Sequence, residues 1–256
     1  MNYLVVKIGG RPAAQQDILD ALISELGVLG ASGFHPILVH GGGADVTELS
    51  RKLGVEPTFV AGKRLTSSEE MGIVDAVLAG QVNTRILRRA LALKINAVGL
   101  SGVDAGLFIG ESVDSANNSR TGRITRVDTK ILATLCTAGL LPVVSSVSTT
   151  PDGVGLNINA DDAAMELGRS LKAHALVYLS DIPGILKSEN VLRRLNPIEA
   201  EAEISSGVIG GGMIPKVRGA IDALRSGIGR VIIGGYEQSG DLKAFLDAEK
   251  GTSITL

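Results

Sequence analysis

Lysines and glycine runs occur together at two places in this 256-residue sequence. Lys7 opens the motif Lys-Ile-Gly-Gly, and Lys216 closes the motif Gly-Gly-Gly-Met-Ile-Pro-Lys. Glycine leaves the backbone N–H groups bare, so an anion can approach them closely. An ammonium group beside such a loop adds local positive charge, which phosphoryl transfer requires. Lys7 also has a simpler interpretation, since a lysine near the end of a strand is often just exposed.

Three further motifs follow predicted strands. His40 precedes the glycines at 41–43, which open a helix whose N-terminus favours a carboxylate or phosphate, although such a run is also compatible with a tight turn. Asn157 begins the cluster Asn-Ile-Asn-Ala-Asp-Asp, in which Asp161 either caps the next helix or acts on a ligand. Asp181 lies in Ser-Asp-Ile-Pro-Gly, which follows a buried strand and suits the rim of a nucleotide site.

Several other kinds of site are excluded by the sequence. No Gly-x4-Gly-Lys-Ser/Thr motif occurs, and no Gly-x-Gly-x-x-Gly follows the first strand, so neither a Walker phosphate loop nor a dinucleotide motif is present. The three histidines lack the spacing of zinc ligands, and we expect no metal held by the protein's own residues. Cys136 lies in an apolar run, where a buried inert thiol is favoured over a nucleophile.

Composition predicts a folded protein of the cytoplasm. Hydrophobic residues make up 45% of the chain, enough for a core, which excludes a disordered protein. The 25 basic and 27 acidic residues give a net charge of −2, which argues against a nucleic-acid partner or a membrane surface. No signal peptide is recognisable, and no apolar run approaches the roughly 18 residues of a membrane span. A single cysteine fits a reducing compartment.

The elements that must position these motifs alternate between strands and helices. Short apolar runs predict strands, and apolar residues at helical spacing predict helices. The longest predicted helix, 67–93, carries one apolar stripe, and the polar segment 104–126 predicts a projecting hairpin. The remaining predictions are strands at 3–8, 36–39, 97–100, 141–147, 175–179 and 230–233, and helices near 18–29 and over 45–53, 161–171 and 213–225.

This order of elements predicts an α/β fold, a three-layer α/β/α sandwich with a mostly parallel, open central sheet. We expect two lobes on that sheet, an N-terminal lobe over 1–165 and a C-terminal lobe over 166–256. In such sheets ligands bind beyond the carboxyl ends of the strands. The motifs described above follow predicted strands, so we expect several of them to meet at one site.

In their order along the chain, the motifs resemble those of the N-acetylglutamate kinases in the amino-acid kinase superfamily. Lys-x-Gly-Gly at Lys7 is shared by the wider superfamily, whereas Gly-x-Arg-x-Thr from Gly62 and Asn-x-Asn-Ala-Asp from Asn157 are more specific to the acetylglutamate branch. The resemblance covers essentially the whole chain and implies the amino-acid kinase fold. It also implies that ATP phosphorylates the side-chain carboxylate of N-acetyl-L-glutamate to N-acetyl-L-glutamyl 5-phosphate, the second step of arginine biosynthesis.

The resemblance further implies a role for each motif. Lys7 and Lys216 would stabilise the transferring phosphoryl group, with Asp161 holding both lysines in position. The N-terminal lobe would bind the amino-acid substrate, and the C-terminal lobe would bind ATP. The chain would form a homodimer through the long helix predicted over 67–93, because its continuous apolar stripe favours pairing and the family pairs its subunits through this region. The implied substrate-binding residues are Gly42, Gly43, Asn157 and Arg64, the last on the acceptor's α-carboxylate. The implied nucleotide-binding residues are Gly9, Gly10, Asp181, Ile182, Pro183, Gly184, Ile185, Leu186, Val208, Ile209 and Gly210.

Elementary chemistry agrees with the implied activity. A carboxylate acceptor with a pKa of about 4 is ionised at neutral pH, so the reaction needs no catalytic base. It does need fixed positive charge and oriented N–H groups that bring two anions together. Mg²⁺ is expected to arrive with ATP and to be held mainly by the nucleotide phosphates.

Two other functions stay open. One is a kinase of the same superfamily acting on aminoadipate or glutamate attached to an acidic carrier protein, for which basic residues cluster over 85–94 and 120–126. The other is a nucleotide-binding sensor that kept the fold and lost catalysis. In the resembled family, arginine-inhibited members carry an additional N-terminal helix and form hexamers. Because the first predicted strand begins by Tyr3, we expect a dimeric enzyme that arginine does not inhibit.

Overall fold

The structure is a computed structural model that describes residues 1–60, 63–114 and 118–256. The chain forms two compact units: unit 1 comprises Met1–Pro36 and Leu167–Leu256, and unit 2 comprises Ile37–Glu166. The predicted lobes kept the first 165 residues together, whereas the structure groups the first 36 residues with the C-terminal part. The functions predicted for the two lobes stay predictions. Gly62 of the arginine motif lies outside the described residues.

Strands and helices alternate along the described chain, and the predicted α/β class is confirmed. The strands are β1 (Asn2–Ile8), β2 (Phe34–His40), β3 (Thr58–Val60), β4 (Lys63–Leu65), β5 (Ala97–Ser101), β6 (Phe108–Ser112), β7 (Gly122–Val127), β8 (Leu141–Ser145), β9 (Val147–Thr149), β10 (Gly155–Asn157), β11 (Ala175–Ser180), β12 (Leu186–Lys187), β13 (Asn190–Val191), β14 (Arg194–Leu195), β15 (Val231–Gly235) and β16 (Thr252–Ile254).

The helices are α1 (Arg11–Ala14), α2 (Gln16–Ala31), α3 (Gly43–Lys52), α4 (Ser68–Asp75), α5 (Asn83–Ala92), α6 (Lys130–Thr137), α7 (Ala160–Leu171), α8 (Pro197–Ser205), α9 (Met213–Arg225) and α10 (Asp241–Leu246). A π-helical segment, Ala76–Val82, joins α4 to α5. In the described part of the chain, no helix combines the length and the apolar character that a membrane span requires.

Unit 1 is built on strands made of apolar residues. In β1, Leu4, Val5, Val6 and Ile8 are fully buried, as expected for a parallel strand covered on both faces. The strand order is β14-β16-β15-β11-β1, in which β15 and β16 are antiparallel and the other pairs are parallel. The carboxyl ends of β1, β11 and β15 therefore lie at one edge of the sheet, where the turns that follow them can form a site.

Unit 2 contains the parallel strands β2-β8-β5 and a smaller sheet in the order β10-β9-β6-β7. The hairpin predicted over 104–126 is confirmed by the antiparallel pair β6 and β7, although residues 115–117, which include one of its two asparagines, lie outside the described part. The sequence did not predict the second small hairpin, in which Arg64 of β4 pairs with Phe59 of β3. This hairpin carries the arginine of the substrate motif.

The long helix predicted over 67–93 is interrupted by the π-helical segment. Its start is a capping box, in which the Ser67 hydroxyl accepts the N–H of Glu70 and the Glu70 carboxylate accepts the N–H of Ser67. The apolar stripe of this helix packs into the core of its own chain, so it does not support the predicted homodimer, which then rests on the resemblance alone. The buried residues of the stripe are Met71, Val74, Leu78, Val82 and Ile86.

Candidate active site

The turn after β1 carries the first predicted lysine. Lys7 is the penultimate residue of β1, and its neighbour across the β1–β11 pair is Tyr178. A Cβ atom built on Gly9 would lie 2.7 Å from Nζ of Lys7, so the ammonium group lies over this glycine. Glycine at position 9 thus leaves room for the ammonium group beside bare backbone, as an anion site requires.

Gly10 and Asp181 lie side by side at the same edge of the sheet. Gly10 has a φ of +58°, which residues with a side chain rarely adopt. A Cβ atom built there would lie 2.6 Å from Oδ2 of Asp181, the residue that directly follows β11. The structure therefore brings together two of the predicted nucleotide-binding residues.

The second predicted lysine lies at the start of α9. Lys216 is the fourth residue of this helix, which follows a turn in which Gly211 has a φ of +53°. Nζ of Lys216 lies 5.3 Å from the ring centroid of Tyr178. Because Tyr178 is also the strand neighbour of Lys7, unit 1 brings the two lysines to the surroundings of one aromatic ring.

The segments predicted to border the nucleotide contain both buried and exposed residues. Ile185 and Ile209 are buried, and the N–H of Ile185 donates to Oγ1 of Thr252 at 2.8 Å. Gly184 has a φ of +150°, and a Cβ atom there would lie 2.7 Å from Cγ1 of Val191, so packing requires glycine. These three residues are buried, so they support the conformation of the segments and do not offer a surface to the nucleotide. The residues whose surface is open to a ligand are Asp181, Ile182, Pro183, Leu186 and Gly210, and Val208 is half-buried.

The glycine turn at 41–43 is tightly packed at its centre. A Cβ atom on Gly42 would lie 2.7 Å from Cδ2 of Leu78 and 3.0 Å from Cγ2 of Val82. The carbonyl oxygen of Gly42 accepts the N–H of Val46 at 2.9 Å, which begins α3. Among the described residues, nothing lies within 4 Å of a Cβ atom built on Gly43. Packing therefore requires Gly42, while the helix start at Gly43 is open to a ligand.

A buried polar network adjoins this turn, and sequence reasoning missed it. His40 is fully buried, with Nδ1 at 2.8 Å from the carbonyl oxygen of Gly41 and Nε2 at 3.0 Å from Nδ2 of Asn83. Nδ1–H therefore donates to the carbonyl, and Nε2 accepts from the amide. Asn83 also donates to the carbonyl oxygen of Val143 at 3.0 Å. Burial lowers the pKa of His40 from 6.5 to about 4, so the ring is neutral at neutral pH.

Arg64 of β4 is almost fully buried and contacts the glycine turn. Its Nη2 donates to the carbonyl oxygen of Gly43 at 3.3 Å and to Oγ1 of Thr47 at 2.5 Å. Nη1 lies 3.6 Å from Oε1 of Glu70, and the guanidinium carbon lies 4.8 Å from the ring centroid of Phe59. Burial lowers the pKa of Arg64, and the charge of Glu70 opposes this effect. Two predicted substrate-binding residues are thus in direct contact.

Asn157 is linked to Arg64 through two buried threonines. Nδ2 of Asn157 donates to Oγ1 of Thr66 at 2.8 Å. The N–H of Thr66 donates to Oγ1 of Thr121 at 3.0 Å, and that hydroxyl donates to the carbonyl oxygen of Arg64 at 2.7 Å. Gly43, Arg64 and Asn157 therefore belong to one polar cluster in unit 2. Thr66 stands in the arginine motif of the sequence, whereas no sequence signal singled out Thr121.

Asp161 lies in the first turn of α7 but does not cap it. Its N–H donates to Oδ1 of Asn159 at 2.8 Å, and the carbonyl oxygen of Asn159 accepts the N–H of Ala163 at 2.9 Å. Asn159 is therefore the N-cap residue, and the interpretation of Asp161 as a cap is wrong. The role of Asp161 toward the two lysines stays a prediction.

Comparison with known proteins establishes the family. The model of the amino acid kinase family matches residues 2–235. The chain belongs to this family. An acetylglutamate kinase from Symbiobacterium thermophilum is 38% identical, and the match covers 98% of this chain and 90% of that relative. An acetylglutamate kinase from Methanoculleus marisnigri is 37% identical, and the match covers 99% of this chain and 93% of that relative. Among solved structures, the carbamate kinase from Giardia lamblia bound to AMP-PNP superposes on this chain with a TM-score of 0.72 and 18% sequence identity. The superposition covers 99% of this chain and 98% of the carbamate kinase, which shows that the two share a fold.

Membership of a kinase family implies the use of ATP, and unit 1 offers features suited to it. At Gly10 a side chain would collide with Asp181, so glycine keeps the backbone of this turn bare. Lys7 and Lys216 supply positive charge in the same unit. Within residues 1–60, 63–114 and 118–256, no group of three or more His, Cys, Asp or Glu side chains could hold a metal ion.

Unit 2 contains an open groove of about 690 Å³ beside the arginine cluster. Thr47, Phe59 and Gly43, which contact Arg64, are part of its wall. Its volume falls within the roughly 300–1,000 Å³ that small-molecule sites occupy. The remaining lining residues are Ala44, Glu48, Arg51 and Lys52. The described part of unit 2 therefore places space for a small ligand next to the predicted substrate-binding residues.

Proposed function

We propose that this kinase transfers a phosphoryl group from ATP to the side-chain carboxylate of N-acetyl-L-glutamate. The product is N-acetyl-L-glutamyl 5-phosphate, and the reaction is the second step of arginine biosynthesis. The observation that carries this proposal is the similarity over nearly the whole chain to proteins named acetylglutamate kinase, at 38% and 37% identity. The polar cluster around Arg64 supports the same acceptor chemistry, because it offers a guanidinium group to a second carboxylate.

Arg64 suits the α-carboxylate of the acceptor. In this proposal Nη1, which lies 3.6 Å from Oε1 of Glu70, donates to the acceptor's carboxylate when the acceptor binds. A guanidinium group binds a carboxylate through two parallel hydrogen bonds, which the ammonium group of a lysine cannot reproduce. Thr47 and Phe59 hold the plane of the guanidinium group. In this proposal Asn157, whose Nδ2 binds Thr66, uses its side-chain oxygen to accept an N–H of the acceptor.

Lys7 and Lys216 are assigned to the transferring phosphoryl group. The ammonium group of Lys216 lies over the ring of Tyr178, and that of Lys7, the strand neighbour of Tyr178, lies over Gly9, so their charge is in place before the reaction starts. Preorganised positive charge stabilises the transition state because no reorganisation is needed during the transfer. The N–H groups of Gly9 and Gly10 add donors for phosphate oxygens. When bound with ATP, Mg²⁺ supplies further charge neutralisation, and we propose that phosphate and water oxygens supply most of its ligands.

The test measures ATP consumption with free N-acetyl-L-glutamate and no carrier protein, with the acyl phosphate trapped by hydroxylamine as a hydroxamate. We expect hydroxamate formation that requires ATP and the acetyl group, with L-glutamate as the matched control substrate. Activity that appears only after an acidic carrier protein is added would assign the carrier-linked function instead. Nucleotide binding without any hydroxamate would identify a sensor.

We also propose a homodimer, on the strength of the family resemblance. The resembled family pairs its subunits through this region, so we assign the interface to the helix from α4 to α5. The apolar side of that helix is buried in its own chain, which leaves its exposed side for the partner. Sedimentation at micromolar concentration tests this assignment. A monomer under those conditions would contradict it.

A further inference from the structure

The ammonium group of Lys216 lies over the ring of Tyr178. Nζ is 5.3 Å from the ring centroid, within the roughly 6 Å at which a cation is attracted to the face of an aromatic ring. Lys216 is half-buried, so water screens this attraction less than it would at an exposed site. The contact therefore restrains the long side chain of Lys216.

The ring itself is fixed by the sheet. Tyr178 is fully buried, and in β11 it lies between Lys7 of β1 and Ile233 of β15. Side chains of neighbouring residues in a parallel pair point to the same face, so the Tyr178 ring and the Lys7 side chain share one face of the sheet. Because Tyr178 is buried and lies in a strand with a neighbour on each side, its ring has a fixed position against which the Lys216 ammonium group can pack.

We propose that Tyr178 is a positioning residue, whose ring face holds the ammonium group of Lys216 in place for the transferring phosphoryl group. The inference rests on the proposed function, in which Lys216 stabilises that group. Tyr178 itself touches no reacting atom. Two lysines brought to one site repel each other, and the electron-rich ring face offsets part of that repulsion for Lys216.

The test replaces Tyr178 with phenylalanine and then with phenylalanines that carry one, two and three fluorines. Fluorine withdraws electron density from the ring face while leaving the ring in the core, so the series weakens the contact without opening a cavity. We expect the trifluoro ring to lower kcat about tenfold relative to the Tyr178→Phe variant, which corresponds to about 1.4 kcal/mol. The KM values for ATP and N-acetyl-L-glutamate should stay within about twofold, because the buried ring of Tyr178 has no surface open to a substrate.

Phe245 provides the matched control, since it is an equally buried ring in the same unit. Fluorination there should leave kcat unchanged. In a Lys216→Ala background, fluorination at position 178 should also have no effect, because the group held by the ring is gone. A kcat that does not change along the series in the wild-type background would overturn the proposal.

A spectroscopic measurement separates this inference from the proposed function. In protein labelled with ¹³Cε-lysine, the ring should shift the Lys216 Hε signal upfield, and Tyr178→Leu should abolish that shift. The Lys216→Ala variant assigns the signal. If the wild-type protein forms no hydroxamate, the proposed function fails while the shift still reports the contact. An unshifted Lys216 signal in active enzyme would refute the positioning role.

Discussion

The buried His40 gives the free energy of unfolding a pH dependence that follows from its surroundings. Both ring nitrogens are engaged in the folded protein, Nδ1 with the carbonyl oxygen of Gly41 and Nε2 with the amide of Asn83. Protonation of Nε2 would break its bond with the Asn83 amide and place an unsolvated charge in the core. Burial therefore lowers the pKa of His40 from 6.5 to about 4.

The sign of the effect follows from proton binding. Between pH 4 and 6.5 the unfolded chain binds a proton at this histidine and the folded protein does not, so the free energy of unfolding rises with pH. At about 1.4 kcal/mol per pH unit, the contribution of His40 reaches about 3 kcal/mol. It is fully present above pH 6.5 and is lost as the pH falls toward 4.

Urea unfolding at a series of pH values measures this contribution. The carboxylates of the protein also titrate in acid, so the informative quantity is the wild-type free energy of unfolding minus that of His40→Gln. Glutamine stays neutral, and the difference should grow by about 3 kcal/mol from pH 4 to 6.5 and then level off. His174→Gln is the matched control, because that ring is exposed, and its difference should vary much less. A flat His40 difference would refute the reasoning.

Three further substitutions probe the site, and a fourth serves as a control for one of them. Lys216→Ala should lower kcat about 100- to 1,000-fold with an unchanged circular dichroism spectrum, and near-normal turnover would remove this lysine from the mechanism. Arg64→Lys should raise the KM for N-acetyl-L-glutamate, because the guanidinium fork is lost, and a change confined to the KM for ATP would place Arg64 elsewhere. Gly10→Ala should cost about 1–2 kcal/mol of stability and also weaken ATP binding, since its Cβ would meet Asp181. Gly33→Ala, with a φ of +90° and open space around it, should show the stability loss alone.

Elements with strong local signals were predictable from the sequence. The predicted bounds of α9 agree with the structure, because its apolar residues repeat at helical spacing after a glycine run. The hairpin of β3 and β4 was not predicted, since each strand has three residues and a pattern of period two needs more. Its position depends on Thr121, which lies far along the chain. The π-helical segment was also missed, because the apolar stripe continues through it.

The residues of the candidate site also fall into those that the sequence indicates and those that only the structure reveals. Lys7, Arg64 and Lys216 stand in short motifs, so their residue types and spacing are enough to indicate a function. The roles of four other residues depend on at least one partner that is remote in sequence, and nothing near them in the chain indicates that contact. These residues are His40, Asn83, Thr121 and Tyr178. The Asn83 amide, for example, reaches His40 across 43 positions. Only the folded chain reveals such positioning residues.

Because of the π-helical segment, the geometry of the site depends on the exact number of residues in the helix that runs from α4 to α5. A π-helical turn holds more residues than an α-helical turn, so the faces of α5 are offset from those of α4. The offset brings Asn83 to His40 and Arg85 to within 2.8 Å of Asp45. A homologue or engineered variant that lacked one residue between Ala76 and Val82 would keep most of the apolar side chains of this helix. It would nevertheless rotate α5, so that a different face of α5 would point to the glycine turn at 41–43. In this helix, insertions and deletions that surface loops tolerate would therefore displace Asn83 and Arg85 from their partners.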